Sequence, residues 1–526
     1  MEIRNTPEYK YSNKITKEHR KQFAQFFTPE RIADLMADWL LGGDKLNCVL
    51  EPAFGLGVFT RSLMKKQSNA KIVAYEIDNV ILDEAIGLFE KNEKIEFKHQ
   101  DYIFSSWDDK YDGIICNPPY FKFQDYDNIG ATTEVKKYLK FDFSGFTNLY
   151  AYFLVKSIYQ LNIGGRCAYI IPSEFMNSDY GVQVKKYLLQ SKRLRHVIVF
   201  NFEEQLFEDA ITTSAILLCA NDDNTDSVSF TNISNLLELD RIEELISKYP
   251  EIPSFCKSYP TKSMESGVKW KSYYQLLNQS CFTHLVPFST FAKVTRGIAT
   301  GANDFFKFNL SKAKQYGIPS EALKPCICHC VDVRGSFFNQ ADFEDLALKD
   351  KFVYIFNGEN SNQASVLKYI RKGEDDKCHE KFLTKSRTPW FALEKRAPAP
   401  IWVSVFSRHK LNFILNTSDA TCLTTFHCIY PKGNAFATIS IELLFAYLIS
   451  NTARLIFWDN GREYGNGLNK FEPNDLNKGM MLDLRTLSEE SKDAIIREFV
   501  AYRDGSADAL INIDNILYEH FGKKMK

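Results

Sequence analysis

Two consecutive prolines, Pro118 and Pro119, follow directly on the apolar run Gly113–Ile114–Ile115–Cys116. A central β-strand cannot continue through them, because neither has an N–H to give to the ladder. The strand must end there, and Asn117 and Tyr120 must stand in a stiff loop at its carboxyl end. The same punctuation recurs upstream. Apolar runs at 47–50, 71–75 and 95–98 alternate with segments of helical period, each run closing on a polar or glycine-rich turn. That alternation predicts a doubly wound α/β sheet, and such sheets bind ligands outside the carboxyl ends of their strands. The loop carrying Asn117 is therefore where chemistry is expected.

Further runs at 166–171, 196–200 and 214–219 bring the expected sheet to seven strands. Residues 148–162 read as a helix with Leu149, Tyr152, Phe153, Ile158 and Leu161 apolar, stopped by Gly164–Gly165. After Cys219 the βαβ rhythm gives way to polar, aromatic-rich and loop-like stretches. The expected organisation is a Rossmann-like, seven-stranded catalytic domain over residues 1–255 and an irregular α+β domain over 256–526. With 526 residues, 45 % of them hydrophobic, the chain has material for two cores.

Charge narrows the partners only locally. Lys+Arg number 65 against 66 Asp+Glu, a net −1, so no global positive field announces a polyanion and any nucleic-acid face must be a local one. The twelve cysteines are scattered and the opening stretch Met1–Gln25 is polar rather than signal-like, so a reducing cytoplasm is expected. No apolar run approaches the ~20 residues of a membrane span. A monomer with no membrane partner is the expectation.

Several residues ahead of the proline loop fit a nucleoside cofactor with an amino-acid tail. Val49–Leu50–Glu51–Pro52–Ala53–Phe54–Gly55–Leu56–Gly57 reads as a strand entering a Gly-x-Gly turn and then a helix. Thr60 occupies the place of the third glycine of a dinucleotide fingerprint, which disfavours a pyrophosphate cradle. Glu51, Ala53, Gly55 and Gly57 are expected to border the cofactor. At the end of the next strand Glu76 can accept from both ribose hydroxyls, and Ile77 can cover one adenine face. Asp101 is placed to accept from the cofactor's amine, with Tyr102 or Ile103 as the other wall. Thr28 and Pro29 read as the N-cap and first turn of an amphipathic helix over 31–41, whose N-terminus suits a carboxylate.

The tetrapeptide Asn117–Pro118–Pro119–Tyr120 suits methylation of a conjugated exocyclic amine. The lone pair of such an amine is delocalised into the ring. Acceptors from the Asn117 side-chain carbonyl and the Pro118 backbone carbonyl would localise it by taking both amine hydrogens, while Tyr120 stacks on the base. The displacement then depends on placement and electrostatics and needs no metal.

These residues, in this order, resemble the gamma-class DNA adenine-N6 methyltransferases of bacterial restriction-modification systems, the TaqI-like group. The resemblance is close over roughly residues 22–220. It rests on Phe27–Thr28–Pro29, Glu51–Pro52–Ala53, Gly55, Gly57, Glu76, Asp101, Asn117–Tyr120, Asn148–Leu149–Tyr150, Gly164–Gly165 and Pro172. It implies S-adenosylmethionine as cofactor, double-stranded DNA as partner, base flipping, and a separate cognate restriction endonuclease. It also implies that Phe207 is a second aromatic wall for the target base. The second half resembles the family more loosely, at 294–297, 300–303 and 467–473, the region of its target-recognition domain. Arg296, Asn303 and Lys470 are its candidate DNA contacts.

Rival readings remain at this stage. The same loop also suits methylation of RNA or of a protein glutamine amide, although the long second half has no evident use there. A C5-cytosine enzyme would need a nucleophilic cysteine after a proline, as in Pro325–Cys326, which lies outside the cofactor domain. Cys326–Ile327–Cys328–His329–Cys330 has the wrong spacing for structural zinc, and alternation predicts its three thiols on one buried strand face. A DNA-binding protein without catalysis would be expected to have lost the loop or the glycine turn, and both are intact.

Overall fold

The computed structural model describes residues 6–120, 126–143, 147–200, 214–408, 410–433, 439–464 and 468–523. The chain divides into two compact units, Met1–Leu276 with Glu463–Gly467, and Leu277–Arg462 with Leu468–Lys526.

The first unit opens with three helices, α1 (Pro7–Lys14), α2 (Lys17–Gln22) and α3 (Glu30–Leu41). It then alternates through β1 (Cys48–Glu51), α4 (Val58–Lys65), β2 (Lys71–Glu76), α5 (Asn79–Leu88), β3 (Ile95–His99) and β4 (Tyr111–Cys116). Next come α6 (Asn128–Leu139), α7 (Leu149–Gln160), β5 (Leu161–Pro172), α8 (Gly181–Ser191), β6 (Leu194–Phe200) and β7 (Ser214–Ala220). β8 (Ser227–Ile233), α9 (Asp240–Lys248) and β9 (Lys257–Pro260) follow. All nine strands join one sheet in the order β3-β2-β1-β4-β5-β7-β6-β8-β9. β1 to β5 are parallel, β7 runs antiparallel between β5 and β6, and β9 is an antiparallel edge. The strand order reverses between β1 and β4, so the crevice for a ligand falls at their carboxyl ends, where Glu51 and Asn117 stand.

Pleating distributes each strand between two cores. In β2, Val73 and Tyr75 face one layer and Ile72 and Ala74 the other. Ile32, Ala33, Leu35, Met36, Trp39 and Leu40 of α3 recur at helical spacing and are all buried. The Trp39 indole donates to Cys167 O and Cys219 O, both at 3.1 Å, which ties α3 across β5 and β7. Burying an aromatic of that size contributes ~2–3 kcal/mol, so α3 holds the segment before it firmly against the sheet.

Three expectations are corrected here. Each of the seven expected segments forms a strand, but β8 and β9 extend the sheet to nine, so the expected boundary at 255 falls just before a strand of the same sheet and the first unit runs to Leu276. Gly164–Gly165 do not cap a helix, because α7 ends at Gln160 and the pair lies within β5. A Cβ on Gly165 would meet Asp112 O at 2.8 Å. Close approach to the backbone of β4 at Asp112, rather than helix termination, requires the glycine there.

The second unit has no βαβ rhythm. A five-stranded mixed sheet combines Ala292–Arg296, Phe426–Pro431, Ile401–Ser404, Phe413–Asn416 and Phe337–Phe338. The helices Ile441–Ile449, Glu489–Arg503 and Ala509–Phe521 share its largest core. Among the described residues no single helix is long and apolar enough to cross a membrane. The expected single face of three thiols is also corrected: Cys326 and Cys328 are buried, but the strand ends at Ile327 and Cys330 is exposed in a following 3₁₀ turn.

Candidate active site

The glycine turn after β1 follows from backbone sterics. Gly55 and Gly57 have φ of +56° and +69°, and a Cβ on Gly57 would meet the Phe54 ring at 2.5 Å and the Phe89 ring at 2.8 Å. Only glycine lets α4 start so close to these two rings. The Gly55 N–H then points to Glu76 Oε2 at 2.9 Å, and Glu76 Oε1 accepts from Ile77 N at 2.8 Å and Asp78 N at 3.0 Å. Burial pushes the Glu76 carboxyl above its ordinary value, and the three backbone donors oppose that rise. Glu76 thus welds the glycine turn to the end of β2.

A cavity of about 320 Å³ opens over these strand ends, a size common for small-molecule sites. Its walls include Ala53, Gly55, Glu76, Ile77, Asp101, Tyr102, Asn117, Pro119 and Thr28. Glu51, Gly57, Pro118 and Tyr120 are not among them. Glu51 is wholly buried behind the turn, where Thr60 donates to Oε2 at 2.6 Å and Oε1 has no partner. Desolvation raises its carboxyl to about 8. Tyr102 borders the cavity, but its ring turns into the core and its hydroxyl donates to Gln160 Oε1 at 2.6 Å. Asp101 accepts from Ile103 N at 2.8 Å and from the Tyr126 hydroxyl at 2.6 Å.

Thr28 departs from its expected role. The N-cap of α3 is Pro29, with no side-chain bond, and Thr28 instead accepts from Asn117 Nδ2 at 3.0 Å. The same nitrogen donates to Phe26 O at 2.8 Å. Both amide hydrogens of Asn117 are thereby used, which fixes the flip of the side chain and leaves Oδ1 as its acceptor. The Tyr120 hydroxyl lies 2.7 Å from that Oδ1 and 3.2 Å from Ile170 O. The Tyr120 ring, expected to stack on a base, stacks on Phe26, with centroids 5.5 Å apart and planes at 18°. Phe207 lies outside the described residues.

Sequence reasoning missed much of the wall. Glu8, Gln22, Phe23, Gln25 and Phe26 line the cavity from the N-terminal segment, which read only as polar. Gln25 Nε2 donates to Asp78 Oδ2 at 2.6 Å, His19 pairs with the same carboxylate at 2.8 Å, and Glu8 pairs with Arg61. These anchors hold α1 and α2 over the turn, and no local motif advertises them. Tyr126, Leu149 and Phe153 were also missed as walls; Phe153 read only as an apolar helix position.

The three candidate DNA contacts lie in the second unit, each engaged internally. Arg296 pairs with Glu394 at 3.1 Å, Asn303 Oδ1 accepts from Thr300 Oγ1 at 2.5 Å, and Lys470 pairs with Glu472 at 2.6 Å. Arg396 donates to Thr295 Oγ1 and Arg296 O, and Arg387 to Thr300 O and Ala299 O, so two further arginines shape the 295–300 loop.

Comparison with known proteins identifies the family. Residues 45–207 match the Eco57I restriction-modification methylase family, and 271–518 match the C-terminal domain of type II methyltransferase M.Eco57I. Type II methyltransferase M.AccI of Acinetobacter calcoaceticus is 52% identical over 99% of this chain and 98% of its own. The chain belongs to the type II restriction-modification methyltransferases. It is accordingly an S-adenosylmethionine-dependent enzyme acting on DNA. M.XamI of Xanthomonas campestris pv. amaranthicola is 22% identical over 88% of the chain and 85% of its own. In fold the methyltransferase is similar to a nuclease-deletion mutant of the type ISP restriction-modification enzyme LlaGI. That likeness has a TM-score of 0.55 and 14% identity, over 95% of this chain and 57% of that one.

Proposed function

We propose that this methyltransferase modifies the N6 amine of adenine in duplex DNA, with the base flipped out of the stack. The observation that carries the reading is the fixed amide of Asn117 at the cavity wall: Phe26 O and Thr28 Oγ1 take both Nδ2 hydrogens and the Tyr120 hydroxyl donates to Oδ1, which leaves the second lone pair of Oδ1 for a substrate amine. An acceptor preorganised in this way suits an amine that must lose conjugation as it reacts. A fixed donor would not. The Pro118 carbonyl is the second acceptor, Tyr120 offers its ring to the base, and Phe26 backs that ring. Flipping follows because a stacked N6 cannot reach a buried pocket.

The cavity also fits the cofactor. When bound, S-adenosylmethionine supplies an electrophilic methyl group. Glu76 is the group for the ribose hydroxyls, Ile77, half exposed at the strand end, covers a purine face, and Asp101 accepts from the purine amine. Thr28 and the backbone around Gly55 border the amino-acid end.

A C5-cytosine mechanism finds less support. Burial drives both Cys116 and Cys326 thiols well above their ordinary range, away from the thiolate that such a nucleophile requires. Sequence choice falls to residues beyond Leu276, because groove readout needs side chains outside the flipped-base pocket. The test is methylation of varied duplexes with labelled cofactor, followed by mapping of the modified base. Label on adenine N6 at one short site is expected; label on cytosine C5 or on a protein amide would overturn the reading.

A further inference from the structure

Lys156 on α7 is wholly buried, and a buried lysine is costly unless its ammonium is used. Here it faces main-chain oxygens. Nζ lies 2.5 Å from Tyr102 O, 3.0 Å from both Ser105 O and Ser105 Oγ, and 3.4 Å from Ile103 O. All belong to the turn that follows β3, the turn that carries Asp101. Ser105 Oγ donates to Tyr102 O at 2.7 Å, and Trp107 Nε1 donates to Ile103 O at 3.1 Å. The rings of Tyr102 and Trp107 flank the ammonium at 4.5 and 5.1 Å. Carbonyls gathered inward on one cation leave the other side of the turn to the cavity. On that side Asp101 accepts from Ile103 N and Tyr126 and borders the cavity.

We infer that Lys156 is a positioning residue for purine selection: by drawing the carbonyls of residues 102–105 together it sets the Asp101 carboxylate at the purine edge of the cofactor cavity. The inference rests on the proposal that Asp101 receives the purine amine. An apolar side chain of the same length would fill the space but would remove the one cation that Tyr102 O, Ile103 O and Ser105 O share, and the turn would relax around the remaining bonds from Ser105 and Trp107. Lys156 touches neither cofactor nor base and acts only through the turn. Its protonation belongs to the same device. Desolvation lowers the ammonium to about 7, opposed by the charges of Asp101, Glu134 and Asp109. The full three-hydrogen donor is therefore present below that pH and is lost above it.

The test uses calorimetry at pH 6.5 with S-adenosylhomocysteine and its inosine analogue, in which a carbonyl replaces the purine amine. The wild-type protein should prefer the adenosyl ligand by about tenfold or more, the worth of one charged hydrogen bond. Asp101→Asn should abolish that preference. Lys156→Met should cut the preference ratio by at least about threefold, while binding of the inosine analogue stays nearly constant. General damage to the fold would weaken both ligands together and leave the ratio unchanged. A wild-type protein without preference would overturn the Asp101 reading and this inference with it. Preference in the wild type, its loss in Asp101→Asn and its full retention in Lys156→Met would overturn the role of Lys156 alone. Should Lys156→Met fail to fold, the wild-type ratio is read from pH 5.5 to 8. It should shrink as Lys156 loses its proton, and a flat ratio would overturn the inference.

Discussion

Two replacements of Asn117 separate what its oxygen does from what its nitrogen does. Under the proposed mechanism, Asn117→Ala removes Oδ1, the acceptor that strengthens as charge develops on the reacting amine. Loss of one preorganised group of this kind costs ~3–4 kcal/mol, about 10²–10³-fold in turnover. DNA binding, supplied mainly by phosphate contacts elsewhere, should largely survive. Asn117→Asp keeps an acceptor but replaces Nδ2, which donates to Phe26 O at 2.8 Å and Thr28 Oγ1 at 3.0 Å. The threonine hydroxyl can rotate and donate to the new carboxylate. The Phe26 carbonyl cannot, and oxygen would face oxygen. That mismatch costs ~1.5–3 kcal/mol, so turnover of Asn117→Asp at pH 8 should fall between wild type and Asn117→Ala. Protonating the introduced carboxyl restores a donor toward Phe26, so its turnover relative to wild type should recover as the pH is lowered from 8 to 6. The assay is single-turnover methylation of a duplex carrying the native site, with DNA affinity measured separately by fluorescence anisotropy. Wild-type turnover by Asn117→Asp at pH 8, or a relative rate that falls on acidification, would refute the argument from the amide's orientation.

Tyr120→Phe keeps the ring against Phe26 and loses only the hydroxyl's contacts with Asn117 Oδ1 and Ile170 O, so much activity should remain. Tyr120→Ala forfeits a stack worth ~1–3 kcal/mol per base and should suffer more in the same assay. Glu76→Ala removes the ribose acceptor and strands three backbone N–H groups, so calorimetry should show cofactor binding weakened by at least ~1.5–3 kcal/mol; unchanged affinity would contradict its placement. Thr28→Val deletes one of two acceptors of the Asn117 amide and should lower turnover by about fivefold, one neutral hydrogen bond's worth, without loss of DNA affinity. Glu51, raised by burial from its ordinary 4.5 to about 8, keeps its proton in the folded state where the unfolded chain releases it. Stability should therefore decline as pH rises through that window, by on the order of 4–5 kcal/mol, and Glu51→Gln should remove the decline in thermal unfolding followed at pH 5 and pH 9.

The parts of this protein legible in its sequence are those fixed by local backbone chemistry. Pro118–Pro119 can only end a strand, and glycines at 55 and 57 meet positive φ, so β1, β4 and the turn between sheet and α4 can be read directly. Gly164–Gly165 misled because a glycine pair after a helical period has two causes, a helix stop and a close backbone approach, and only the neighbour across the sheet tells them apart. β8 and β9 were missed because Ser227–Ile233 mixes serine, threonine and asparagine among its apolar residues and Lys257–Pro260 is a short, mostly exposed polar edge, so neither shows the apolar run that marks the earlier strands. At the site, acids at successive strand ends were visible, but side-chain direction was not. Glu51 and Tyr102 have the right position in the chain and turn the other way, toward Thr60 and Gln160. The N-terminal wall was least legible. Its cohesion comes from Asp78 holding Gln25 and His19 and from Arg61 holding Glu8, pairs more than fifty residues apart that leave no periodic trace.

On the proposed reading, that N-terminal wall joins the two halves of the chemistry. Phe26 and Thr28 border the cofactor cavity, and the same two residues hold the Asn117 amide. Anything that orders residues 25–28 from the cofactor side must also order the acceptor on the base side, because one short segment serves both. The segment has two ends of anchorage, Asp78 beside the Glu76 carboxylate and α3 packed beneath by Trp39. On the proposed reading, a ligand held by Glu76 acts on the first anchor and a base held by Asn117 on the segment itself. Binding free energy at one subsite is then shared with the other through contacts already made, and linkage requires the sharing to be reciprocal. Cofactor should tighten a mispaired or flipped adenine by the same factor by which that adenine tightens cofactor. The factor should shrink when Thr28 or Gln25, rather than any residue touching either ligand's reacting atoms, loses its hydrogen bond.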